Sequence, residues 1–454
     1  MFYARWTKEK EIKEVLSEIK IDGKVKQSGI PLLNKGNSLY LSNSEAHSLV
    51  IGSTGSGKTQ TTIFPLTKLS LLALESVVIN DVMGEIYKKT AHNFLQAGYD
   101  VIVLDFNKPH LGNSWNPFSL AYEFYKNGDK DSSIRLVEEL GYYLFNETTL
   151  DNADSFWINS CIDYFTGITL YLFDNAKSEE INLNSVYSLA NELLDETNAK
   201  KFMDNINKNS TIYYNVTGTL MAPLETRGGI ISTFNQKLKR FVGLDSLCNM
   251  LAGSDFDIKN ISNKKTALFI ISGFSDCGSS LIPLFVSQVI YAVDKFGKKD
   301  KLLNIILDEF DTMLPINNFA KLINYSRSIR VRFTVVIKSY IDLVNIYGKE
   351  QTEIIKSCFP IIIYLLARDI YTLEEVSRMC GNHESSKGIE PLISVEELKV
   401  LKAFESIILM PRLMPFRTKL VPDYQISWYF EEKEIDIQPR KENNISIYSF
   451  NLGK

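Results

Sequence analysis

An open α/β sheet, mostly parallel and interrupted by an all-helical segment, is the fold that this sequence predicts. Three observations predict it. Short continuous apolar runs alternate with helix-patterned stretches on both sides of the chain's middle, as buried parallel strands and their crossovers do. The first of those runs, Ser48 to Ile51, opens directly into a glycine-rich turn. Between about Ser119 and Met250 the alternation stops, and apolar residues recur every three or four positions instead.

Composition narrows the class. A chain of 454 residues has room for two or three domains. Its 45% apolar and 23% charged residues are those of an ordinary globular protein. The net charge of −4 provides no global basic field, so any nucleic-acid contact must be local. Cys161, Cys248, Cys277, Cys358 and Cys380 form no C-x-x-C pair and read as reduced, buried thiols. His47, His92, His110 and His383 show no metal-ligand spacing. The longest apolar runs, such as Phe359 to Ala367, fall short of the roughly 20 residues that span a bilayer. Met1 to Ile21 reads as a charged amphipathic helix, so the chain is expected to be soluble as written.

Taken in order, the chain begins with a lead-in over 1–46. It holds a helix around Glu9–Ile19 and weak strands at Ile30–Leu33 and Leu39–Leu41 about an Asn34-Lys35-Gly36-Asn37 turn. A strand over Ser48–Ile51 and a helix from Gln60 to Leu72 follow. Ser76–Asp81 reads as a buried strand, 83–97 as a helix closed by Gly98, and Tyr99–Asp105 as a third strand. Asp81 and Asp105 close their strands, where ligands bind in open α/β sheets. Helices are expected at Ser132–Phe145, Ser155–Phe173, Leu183–Glu196 and Asn198–Asn205. Phe156, Trp157, Tyr164 and Phe165 on the second of these suit a core, or a substrate surface. Strands resume at Thr266–Ser272, Lys301–Leu307, Val331–Ile337, Pro360–Ala367 and Glu405–Met410. Helices fall at Ser279–Phe296, Phe319–Ser328 and Thr372–Cys380, and the tail from Pro411 reads as irregular. The expected domains are 1–46 as lead-in, 47–118 and 251–410 as the α/β domain, 119–250 as an all-α insertion and 411–454 as a tail.

The turn Gly52-Ser53-Thr54-Gly55-Ser56-Gly57-Lys58-Thr59 has the form G-x-x-x-x-G-K-[ST], with a strand before it and a helix after it. Its glycines let the backbone curl and point N–H groups inward, and the helix start adds its positive dipole end. Lys58 is expected at the β and γ phosphates of a nucleotide, and Thr59 at Mg²⁺. Hydrolysis also needs an acid to hold the metal and a group to activate water. The apolar run before Asp308-Glu309 supplies both at a strand end: Asp308 for the metal, Glu309 as the base. ATP and Mg²⁺ are the expected cofactors.

These residues resemble the TraG-type coupling ATPases of type IV secretion and conjugation, relatives of the hexameric DNA pumps. The resemblance runs from about Ser48 to Met410. It is carried by His47 to Thr59, by S-V-V-x-x-D-x-x-G-E-x-Y-x-x-T (Ser76 to Thr90), by Asn116-Pro117-Phe118, by Phe156-Trp157, by Ile305 to Phe310 and by Tyr347-Gly348. It implies a P-loop NTPase fold of the RecA-like kind, helices on both sheet faces, and an all-α insertion capping a hexameric ring with a DNA channel. By position it implies that Arg327 reaches a neighbouring subunit's γ-phosphate, a role suited to a fixed, bidentate cation. A surface arginine at a helix end is the alternative. Lys338 stands where the family has a glutamine that senses the γ-phosphate, and Met83 where it has a lysine. The family's two N-terminal membrane helices are not in this sequence.

The resemblance implies an ATPase that recruits a DNA–relaxase substrate and drives DNA toward a secretion channel. Its partners would be DNA bound without sequence preference, secretion substrates, a membrane-bound channel protein as tether, and further copies of itself. The location implied is cytoplasmic, at the inner face of the membrane. A recruitment module that binds ATP but hydrolyses it slowly is the second reading, and an unrelated P-loop enzyme the third. Lys237, Lys239 and Arg240 form the densest basic group in the middle of the chain, and Lys298, Lys299 and Lys301 another.

Overall fold

Regular alternation of strand and helix builds a nine-stranded sheet among the described residues. The computed structural model describes residues 3–21, 24–36, 38–42, 44–146, 155–273, 275–298, 300–386 and 388–450. Its strands in chain order are β1 (Ser17–Lys20), β2 (Ile30–Lys35), β3 (Ser38–Ser42), β4 (Ser48–Gly52), β5 (Ser76–Asn80), β6 (Asp100–Asp105) and β7 (Thr266–Ile271). They continue with β8 (Leu303–Leu307), β9 (Val331–Ile337), β10 (Ile361–Leu366), β11 (Asn382–Ser385), β12 (Gly388–Pro391), β13 (Glu405–Leu409) and β14 (Phe416–Lys419).

The large sheet has the order β14-β13-β10-β4-β9-β8-β5-β7-β6. From β10 to β7 the pairs are parallel, and β13 and β14 add antiparallel strands beyond β10. Every residue of β4, β5, β8 and β9 is buried, as expected when helices cover both faces. The order places β9 between β4 and β8. All parallel strands of this group therefore present their C-terminal ends at one edge, with the end of β9 between the glycine-rich turn and Asp308.

Two compact units make up the chain. The first comprises 1–102, 259–270 and 293–436. It holds β1-β3-β2 as a separate antiparallel sheet, together with most of the large one. The second comprises 103–258, 271–292 and 437–454. It is helical: Ser119–Lys126, Lys130–Phe145, Ser155–Asn175, Leu183–Glu192, Glu196–Asn205, Thr211–Leu220, Leu224–Val242 and Asp245–Leu251. Asp129, Asn182, Asp195 and Ser210 cap four of these by accepting from the backbone N–H three residues on. Phe118, Phe145, Phe165 and Phe234 are fully buried and in ring contact around the core of this unit.

Several elements differ from the sequence reading. The first helix, Glu9–Val15, stops before Ser17, because Ser17–Lys20 pair with β3 instead. Leu183–Glu196 is two segments, since Asp195 caps a new helix at Glu196. The tail is not wholly irregular. In β14, Phe416 and Thr418 are buried while Arg417 and Lys419 point outward, and the strand pairs with β13. Residues 437–450 are held on the helical unit by Arg440, which donates to the Pro109 carbonyl and to Asn249 Oδ1 at 2.9 and 2.7 Å. Tyr164 and Phe165 are core residues, whereas Phe156 is exposed. The helix Asp276–Phe296 is long and apolar enough to cross a membrane, but 83% of its most apolar window is buried within the protein.

Candidate nucleotide site

The glycine-rich turn leaves the buried end of β4 and enters a helical segment that starts as a single π turn, Thr59–Ile63, before the α-helix Phe64–Leu72. Such π turns recur at functional sites because they re-aim side chains without ending the helix. Gly55 and Gly57 take φ of 80° and 90°, a region closed to most side chains. At Gly52 a β-carbon would lie 2.4 Å from Ser56 Oγ. The turn is thus shaped for backbone, not side chains. Ser53 Oγ and Ser56 Oγ are buried in it without a hydrogen-bond partner. Unsatisfied hydroxyls in a glycine cradle fit a ligand rich in acceptor oxygens, as a polyphosphate is.

Lys58 is buried and folds back on the turn. Its Nζ donates to the Gly52 carbonyl at 2.5 Å and to that of Ser53 at 3.2 Å. Burial lowers its pKa below the ordinary lysine value, while Asp308 and Glu309 pull it back up. Thr59 is half-buried at the first position of the π turn.

Asp308 follows the last residue of β8. Its backbone carbonyl accepts from Asn80 Nδ2 at 2.7 Å, which ties the end of β8 to the end of β5. Burial pushes its carboxyl up to about 6, although the Glu309 N–H that donates to it at 2.9 Å works the other way. A cation taken by Asp308 would displace a proton below that pH. Glu309 has φ of 45°, left-handed and costly for a residue with a β-carbon. The strained backbone presents the acid at the head of the 3₁₀ turn Phe310–Thr312. Asp81, at the end of β5, accepts from the Tyr87 N–H at 2.7 Å, and burial raises its pKa to about 7.

Lys338 follows β9 and lies between these two groups. It pairs with Asp311 at 2.8 Å. Burial works to lower the Lys338 pKa, but Asp311 outweighs it, and the net shift is upward. Lys338 in turn depresses the Lys58 pKa, so both cations act in one site. Lys58, Asp308, Glu309 and Lys338 are therefore brought together. Asp311 and Asn80 are participants the sequence reading missed. The D-E-F-D spacing signals the first, and the polar end of a buried strand the second.

Arg327 is not part of this group. It is exposed, in the 3₁₀ turn Arg327–Ile329 that leads into the start of β9, the opposite end of that strand from Lys338. Its charge is felt instead by His47, at the start of β4. Met83 is exposed. Asp105 accepts from the Asn107 and Lys108 N–H groups and closes its own turn. Lys239 is exposed on Leu224–Val242, with Lys237 and Arg240 half-buried. Lys298 and Lys301 are exposed, and Lys299 lies outside the described residues.

The family described as Type IV secretory system Conjugative DNA transfer matches residues 5–387. The type IV secretion system-coupling protein VirD4 of Bartonella quintana is 23% identical over 163 residues, 35% of this chain and 25% of that protein. The chain thus spans about a quarter of the length of the curated relatives it matches. Structures of the plasmid coupling protein TrwB, with non-hydrolysable ATP and GTP analogues and with ADP and Mg²⁺, superpose at TM-scores of 0.70, 0.72 and 0.70. Each is 16% identical, covering 93%, 96% and 93% of this chain and 94%, 97% and 94% of theirs, a likeness of fold.

Proposed function

The chain belongs to the type IV secretory system conjugative DNA transfer family, and from that premise we propose that it is a coupling ATPase of conjugative secretion. It binds ATP with Mg²⁺, recruits a DNA–relaxase substrate and uses hydrolysis to drive DNA toward the secretion channel. The observation that carries this reading is the meeting of Lys58, Asp308 and a strained Glu309 at one edge of the sheet. Gly52 to Thr59 cradle the phosphates, Lys58 neutralises their charge, Thr59 and Asp308 hold the metal, and Glu309 takes the proton of the attacking water. TrwB, solved with ADP and Mg²⁺, supports the choice of cofactors.

Arg327 completes the site of a neighbouring copy in a ring, most simply a hexamer; its distance along β9 from Lys338 supports a role in trans. The working domains are 47–118 with 251–410 for nucleotide, 119–250 as the all-α insertion, 1–46 as lead-in and 411–454 as tail. The chain acts on the cytoplasmic side, brought to the inner membrane face by a membrane-bound channel protein.

A recruitment module with little motor activity is the second reading. Lys338 held by Asp311, where the related ATPases present a glutamine, favours it. DNA-stimulated ATP hydrolysis separates the two. Turnover that rises several-fold with DNA supports the motor, and ATP binding without stimulation by DNA supports the module.

A further inference from the structure

Phe404 is a strained aromatic residue lying on the glycine-rich turn. Its φ is 66°, left-handed, which a residue with a β-carbon adopts only where its surroundings hold it. They do so here: the Phe404 carbonyl accepts from the Leu420 N–H at 2.8 Å, and Glu405 beside it pairs with Arg417 at 2.6 Å. The held ring reaches the turn so closely that a β-carbon on Gly57 would lie 2.8 Å from it.

A second ring stands beside it. Tyr424 is 65% exposed, and its ring centroid is 6.5 Å from that of Phe404. It belongs to the 3₁₀ turn Asp423–Gln425, which packs against the π turn Thr59–Ile63. A buried ion pair of Lys68 with Asp423 at 2.7 Å fixes that turn on the helix following the phosphate cradle. Tyr424 and Gln60 share a cleft of about 240 Å³ whose remaining lining is charged, Lys68, Lys89, Asp423 and Glu432 among it, and Phe404 stands beside it against Tyr424. Gln60 directly follows Thr59, so the cleft begins where the cradle ends.

We propose that Phe404, Tyr424 and Gln60 seat the base of the bound nucleotide, and that the seat takes adenine and guanine alike. This rests on the nucleotide reading above and adds the class of base. Stacking is tolerant because every base has a π-face. The Gln60 amide carries both a donor and an acceptor and can serve either purine edge by turning over.

The test compares ATP, GTP and inorganic tripolyphosphate, each with Mg²⁺, by calorimetric titration of the full chain. Tyr424→Ala and Phe404→Gly should each weaken ATP and GTP roughly tenfold and leave tripolyphosphate within about twofold. Phe404→Gly also controls for folding, because glycine takes the left-handed backbone freely and should keep the melting temperature near wild type. A merely structural Phe404 would lower the melting temperature without separating ATP from tripolyphosphate. Equal losses for ATP and tripolyphosphate, or no loss of ATP in either variant, overturn the base seat. A wild-type preference of more than about tenfold between ATP and GTP overturns its tolerance. Failure of the wild type to bind tripolyphosphate and ATP at all overturns the nucleotide reading itself.

Discussion

Lys338 Nζ lies 2.8 Å from Asp311 Oδ2, at the edge where the glycine-rich turn and the Asp308-Glu309 pair meet. The pair holds a cation beside the phosphate cradle and keeps it engaged. A γ-phosphate would compete with Asp311 for that cation. Asp311→Asn should free Lys338 and tighten ATP binding several-fold. Lys338→Met should slow hydrolysis about tenfold while changing ATP affinity less, since a point charge counts most where charge develops. Turnover and affinity at wild-type levels in both variants would remove Lys338 from the site.

Glu309→Gln should keep ATP binding and lose about 10²- to 10⁴-fold in turnover, because it removes the base but little of the shape. Lys58→Ala should lose turnover and also weaken ATP binding. Single-turnover assays with measured affinity distinguish the two patterns. Wild-type turnover in Glu309→Gln would show that another group activates the water.

Arg327 is exposed at the far end of β9 from Lys338, so a monomer holds an incomplete site if this arginine is catalytic. Specific activity should then climb with protein concentration. Mixing Arg327→Ala with Lys58→Ala subunits should restore part of the lost activity, because some interfaces combine an intact cradle with an intact arginine. Co-assembled mixtures that stay inactive at every ratio would count against a trans role.

Much of this edge was legible in the sequence. The turn from Gly52 to Thr59 and the strand before Asp308 announce themselves by local pattern, since backbone closure and strand burial each need particular residues in a row. Val331–Ile337 was readable to the residue as a strand, and every residue of it is buried, Arg332 and Thr334 included. What was not legible depends on pairing across distance. Ser17–Lys20 becomes a strand only because β3 is there to receive it, and Phe416–Lys419 only because β13 is. Phe404 gives no local sign that its backbone is left-handed or that it reaches Gly57. Arg327 gives no local sign that it lies at the start of β9, away from Lys338; its role in a neighbouring subunit's site comes from the resemblance alone.

DNA contacts should be local, given the net charge of −4. Replacing Lys237, Lys239 and Arg240 by Ala should flatten the salt dependence of DNA binding. Each lost phosphate contact lowers the log–log slope by roughly 0.7 to 0.9. DNA-stimulated hydrolysis should fall with it, and ATP binding without DNA should not. A triple variant with an unchanged slope would place the contacts elsewhere, with exposed Lys298 and Lys301 next to be tested.

His47 sets a pH limit on the fold. It lies buried at the start of β4, with Nε2 donating to the Ile323 carbonyl and Nδ1 accepting from the Phe333 N–H, both at 2.9 Å. Both bonds require one neutral tautomer. Burial depresses its pKa to about 4, with Arg327 and Arg332 adding to the effect. The unfolded chain therefore binds a proton that the folded chain refuses, between about 6.5 and 4. His47 stabilises the fold fully above pH 6.5, and that contribution drains away as pH falls, reaching a loss of about 2 kcal/mol by pH 5. Asp308 acts with the opposite sign, because its raised pKa relieves the fold as pH falls through about 6. Denaturant titrations of wild type and His47→Gln isolate the histidine from that background. The stability advantage of wild type over the variant should shrink steadily from pH 7 to pH 5. An advantage that stays constant across that range would mean that His47 does not resist protonation in the fold.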